Sequence, residues 1–157
     1  MSNAVSQADH VSALQNAIEA GKDGMYLDAL AHLQSIGSLR DWSGADRCDV
    51  SWIVQELGAP RLARWHILKS YREAPEVLSV RVAYGQYILE DDGPLDALEF
   101  AESKGVPTDA NADAEDRLRW MYLQMAALTQ LRDFAAAEQI IDQMQTINER
   151  VDMIHFA

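Results

Sequence analysis

The chain has 157 residues, 13 basic against 25 acidic side chains, a formal charge of −12, 48% hydrophobic residues and one cysteine. This length and apolar content fit a single domain with a real core and exclude a disordered chain. The charge argues against nucleic-acid and anionic-membrane binding, which need clustered Lys and Arg, and one cysteine excludes an internal disulfide framework and a cysteine-built zinc site.

The first ten residues, MSNAVSQADH, are polar and carry no Lys or Arg, unlike a secretory signal. Ser2-Asn3-Ala4 reads as a cloning remnant, and the abrupt end at Ile154-His155-Phe156-Ala157 leaves room for a longer native chain. No run of about 18 apolar residues occurs, so no membrane span is expected and a cytoplasmic location is. Apolar residues recur at helical spacing: Val11, Leu14, Ala17 and Ile18; Leu118, Met121, Tyr122, Met125 and Leu128; Phe134, Ala137, Ile140, Ile141 and Met144. No segment alternates long enough for a strand, which predicts an all-α protein.

Breakers cut these stripes. Gly21-Lys22-Asp23-Gly24 separates the first two, and Ser43 with Asp46 forms a capping-box signature before the third. Pro60, Pro75 and Pro94 stand where a first helical turn should begin. The pattern predicts eight helices, at 4–20, 25–38, 44–57, 60–72, 75–90, 94–104, 112–131 and 133–152, with 105–111 the long non-helical stretch.

The helices pair and repeat. Ala29, Ala63, Ala97 and Ala137 fall in register on the second helix of each pair, 34, 34 and 40 residues apart. Ala17, Ser51 and Gly85 hold the matching small position on the first helices, because two helices at about 8–10 Å leave no room there for a large side chain. Tyr84, Ile88, Ile67, Phe134 and Ile141 are expected to fill the space between. With Pro75 twelve residues after Ala63, this pattern resembles the tetratricopeptide repeat over about residues 10–146. Asn16, Gln124 and Met125 depart from the family pattern, and its usual Trp is replaced by Ala13, Arg47, Arg81 and Met121.

The resemblance implies a right-handed superhelix of about four antiparallel pairs, residues 10–42, 43–76, 77–110 and 111–146, in one domain with a C-terminal capping segment at 147–157. Ile147, Val151 and Ile154 extend the last stripe, to cover the open end of the array or to join a second copy. A monomer or a homodimer through the C-terminal helix is expected.

No chemistry-bearing motif emerges. His10, His32, His66 and His155 lack partners at ligand spacing. The run from Asp109 to Asp113 opens like a calcium loop, but Ala114 and Trp120 stand where Gly and Glu are needed. Cys48 lies between Asp46 and Asp49, whose carboxylates oppose thiolate formation, and is read as packing or groove lining. Asp91-Asp92-Gly93-Pro94 is read as a turn. No catalytic, metal or cofactor-binding residue is assigned, and no enzyme is expected.

In the resembling family the first helices line a concave groove. The register places Cys48, Trp52, Gln55, Glu56, Val82, Gln86, Leu89, Glu90, Arg119, Tyr122 and Thr129 on that side, with Trp52 and Tyr122 as aromatic anchors. Gln55, Glu56, Gln86 and Glu90 replace the cations of a carboxylate clamp, so a neutral or basic peptide or helix is the expected partner. Residues 61–81 carry net +3 and residues 90–116 net −9, a polarity that would steer a basic partner to the third pair. The expected function is a non-catalytic protein-interaction module. Chaperones of bacterial secretion systems are a related alternative, and a small-molecule enzyme or ligand-binding bundle is the alternative from another class.

Overall fold

Caps and breakers set the helix limits. The computed structural model describes residues 7–35, 37–38, 42–105 and 114–147, and every regular element among them is a helix. In order these are α1 (Gln7–Lys22), α2 (Tyr26–Ser35), α3 (Gly44–Asp49), α4 (Ser51–Glu56), α5 (Pro60–Glu73), α6 (Leu78–Asp91), α7 (Pro94–Lys104), α8 (Ala114–Gln130) and α9 (Phe134–Ile147). The Ser43 hydroxyl accepts the Asp46 N–H at 3.2 Å and caps α3. Pro60 and Pro94 open α5 and α7, where a missing N–H costs no hydrogen bond. Pro75 does not open a helix. It sits in a turn with Glu76, and α6 starts at Leu78. Ala74 before Pro75 leaves helical backbone, at φ −140° and ψ 58°, as Ala59 does before Pro60, but here the helix expected from residue 75 begins three residues later.

The helix expected over 44–57 is interrupted at Val50, which sits at φ −107° and ψ 1°. The Ser51 hydroxyl donates to the Cys48 carbonyl at 2.8 Å, and the Val50 N–H points to the same carbonyl. A side chain thus takes an acceptor that the helix ladder would use, which is how serine competes with helix. Val50 and Ser51 are both buried, so the break lies inside the protein.

One turn geometry recurs between paired helices. After α1, Gly24 N–H bonds Gly21 O and Met25 N–H bonds Ala20 O. After α4, Gly58 bonds Gln55 O and Ala59 bonds Val54 O; after α8, Arg132 bonds Thr129 O and Asp133 bonds Leu128 O. Each is a Schellman closure with its turning residue left-handed, at φ 75° for Gly24, 81° for Gly58 and 63° for Arg132. Arg132 holds this backbone despite its Cβ. Each turning residue lies five positions before Ala29, Ala63 or Ala137, and those alanines and Ala97 are all at most 4% exposed. The turn before Ala97 differs: Asp92 and Gly93 N–H both bond Ile88 O, and Gly93 carries the positive φ.

The chain divides into two compact units, residues 1–80 and 81–157. In the N-terminal unit, Ala17, Ala20, Ala29, Leu33, Trp42, Val50 and Ile53 form the core, with Leu14, Ile18, Trp52 and Leu57 packed on it. α1 packs on α2, and α3 and α4 pack on α5. Gly21 is required by this packing, since a Cβ there would meet the Trp52 ring at 2.5 Å. In the C-terminal unit, α8 packs on α7 and α9. Leu118, Met121 and Met144 cluster there, and Tyr84 and Trp120 meet Phe100 edge-on at 5.3 and 5.7 Å between ring centroids. Gly85 is buried directly under Leu123, where any Cβ would overlap the leucine methyl.

Two apolar stripes are less buried than their spacing predicts. Phe134, expected to fill space between helices, opens α9 and is 58% exposed. Val11 is exposed near the start of α1. The calcium-like run 109–113 and the terminal stripe at Val151 and Ile154 lie outside the described residues, as do residues 1–6, His155 and most of the expected capping segment.

Candidate functional site

α4 brings the first group of expected groove residues together in the N-terminal unit. Gln55 and Glu56 are exposed in its last turn. Trp52 is half-buried, with its ring over Gly21 and against the core. It is therefore part of the packing between α1 and α4 while remaining partly exposed. Cys48, read as packing or groove lining, lies on α3 and is buried, which favours packing.

Burial pushes the Cys48 thiol up from 9.0 to about 12, the neighbouring Asp49 carboxylate adds to the rise, and Arg47 opposes it. The folded value lies above the unfolded one, so the contribution to stability is complete below pH 9 and is lost as pH rises from 9 toward 12. The native thiol is expected to resist alkylation at pH 8 and to react once urea unfolds the chain. Urea midpoints should fall between pH 9 and 11, and Cys48→Ala should flatten that fall. Rapid native alkylation would contradict the assignment.

Arg47 is the residue that composition hides. It stands where the resembling repeat has Trp, and it is fully buried, with its guanidinium bonded to Glu73 on α5. Its Nε and Nη1, and the Ser70 hydroxyl, have no hydrogen-bond partner among the described residues. Its position in the repeat was the one sequence signal that it belonged to the core.

The second group lies in the C-terminal unit. Gln86 and Glu90 are exposed on α6, and Leu89 is half-buried. Val82 is 4% exposed and faces inward, so it leaves the set of contact residues. On α8, Arg119 is exposed and pairs with Glu115 at 2.5 Å, one turn earlier, and Thr129 bonds its own helix at Met125 O. Tyr122 is half-buried against Leu118, Met121 and Met144, which gives this expected anchor a packing role.

α5 and α7 present two strongly charged faces of opposite sign. α5 buries Ala63, His66 and Ser70 and exposes Arg61, Leu62, Arg64, Trp65 and Arg72. α7 buries Ala97 and Ala101 and exposes Leu95, Asp96, Glu99 and Glu102. The charge asymmetry was visible in the sequence. The exposed Leu62, Trp65 and Leu95 were not.

Among the described residues, no group of three or more His, Cys, Asp or Glu side chains is placed to hold a metal ion. His10 instead bonds Asp46 at 3.2 Å and meets the Trp42 ring edge-on. No helix among the described residues is long and apolar enough to cross a membrane. The chain matches no protein-family model, no curated protein and no solved structure.

Proposed function

We propose that the chain is a non-catalytic, tetratricopeptide-like interaction module that holds a neutral or basic peptide or helix on the exposed faces of its first helices. The observation carrying this reading is the burial of Ala29, Ala63, Ala97 and Ala137, at most 4% exposed at equivalent positions of the second helices. Small residues there let paired helices close and turn their outer residues to solvent. The residues offered by α4 and α6 are Gln55, Glu56, Gln86 and Glu90. Each unit thereby offers one carboxylate, Glu56 on α4 and Glu90 on α6, which favours a cationic partner, and charge of this kind acts on encounter rate and partner choice.

Affinity capture from the source organism tests the reading. The wild-type chain is expected to retain a discrete protein partner that elutes as salt rises. Glu56→Lys with Glu90→Lys should lose that partner while helicity and melting temperature stay unchanged, because both positions are exposed. Equal retention by the double variant would refute the assignment.

A further inference from the structure

The outer face of α5 is basic and apolar on an acidic protein. Arg61, Leu62, Trp65, Lys69 and Arg72 lie on one side of the helix, opposite buried Ala63, His66 and Ser70. Leu62 and Trp65 are 42% and 41% exposed. Lys69 Nζ sits 5.1 Å from the Trp65 ring centroid and 3.6 Å from Glu73 Oε1, so the aromatic ring is held within a field of cations. The outer face of α7 has the same layout with the opposite sign. Leu95, 58% exposed, shares it with Asp96, Glu99 and Glu102, opposite buried Ala97 and Ala101. Both are second helices of their pairs, so neither face is used by the reading above.

We infer that the α5 face docks a second copy of this chain, seated through the acidic α7 face of that copy. Charge complementarity selects this occupant. Two molecules of charge −12 repel over most of their surfaces, and α5 supplies the cationic helix face on which an acidic one can rest. At physiological salt the general repulsion is screened beyond about 8 Å, whereas side chains in contact still pair. Trp65 and Leu62 of one copy then cover Leu95 of the next, removing three exposed apolar groups from water. The contact joins different surfaces, so a pair held by a single such contact keeps one free α5 face and one free α7 face, and growth continues until a reciprocal pair or a ring closes. One helix face against another is a small interface, which makes the association weak and concentration-dependent.

Sedimentation of the purified full chain tests this at concentrations up to about 1 mM, where contacts of millimolar strength become populated. At about 0.15 M salt the average mass should rise with concentration above that of a monomer, and at about 1 M salt it should return to that of a monomer. Arg61→Glu with Arg72→Glu, and separately Asp96→Lys with Glu99→Lys, should each weaken association at least about tenfold while leaving melting temperatures unchanged. An equimolar mixture of the two variants should associate again, because each reversed face then meets a face of opposite sign. A chain that stays monomeric at about 0.15 M salt overturns the inference, leaving the face to another acidic protein or to none. So does growth that ignores both reversals, as a dimer through the C-terminal segment would, or a mixture that fails to restore association.

Discussion

Trp120→Ala is expected to lower the unfolding free energy by about 3–5 kcal/mol, the range for deleting a large aromatic from a core. Trp120 is fully buried in α8, and its indole meets Phe100 of α7 edge-on at 5.7 Å. The cavity left by alanine would sit between α7 and α8, which pack on each other. Trp120→Phe should cost far less, under about 1.5 kcal/mol. It keeps most of the ring and removes an indole N–H that has no hydrogen-bond partner among the described residues. Urea denaturation followed by circular dichroism measures both. Equal losses for the two variants would mean that the ring does not organise the C-terminal unit.

Glu73→Ala is expected to destabilise the N-terminal unit by about 3 kcal/mol, while Arg47→Met should be neutral or stabilising. The Arg47 guanidinium is fully removed from water and Glu73 is its bonded partner, so deleting the carboxylate leaves a buried charge with nothing to balance it. The effect belongs at the low end for buried pairs because Glu73 itself is 45% exposed. Methionine has similar reach, brings no charge to desolvate and leaves no orphaned Nε or Nη1. Urea titrations of both variants decide the point. A stabilising Glu73→Ala, or an Arg47→Met loss larger than that of Glu73→Ala, would show that the pair is not a desolvation burden.

The helix limits were legible because the signals that set them are local. Gly24 and Gly58 supply left-handed backbone, Ser43 supplies a cap, and Pro60 and Pro94 start helices wherever they fall after a turn. Pro75 carries the same local signal, yet it sits in a turn with Glu76 and the helix waits until Leu78. The break at Val50 was hidden, since it rests on one hydroxyl taking one carbonyl inside a run that favours helix. The four register alanines were found from spacing and all proved buried. The candidate site was less legible. Helical spacing distinguishes faces only to within a residue, which is enough to misplace Val82. It cannot show that Trp52 reaches across to Gly21 on another helix, because that contact exists only once the two helices have packed. Arg47 was hidden for the opposite reason, since charge alone points to the surface.

The central claim is that paired helices close on small residues at equivalent positions. Measuring unfolding free energies of Ala29→Leu, Ala63→Leu, Ala97→Leu and Ala137→Leu beside Ala135→Leu, an exposed control on α9, tests it most directly. Overpacking should cost about 1–3 kcal/mol at each of the four and almost nothing at the control. Leucine accepted at two or more of the four as easily as at Ala135 would contradict the claim.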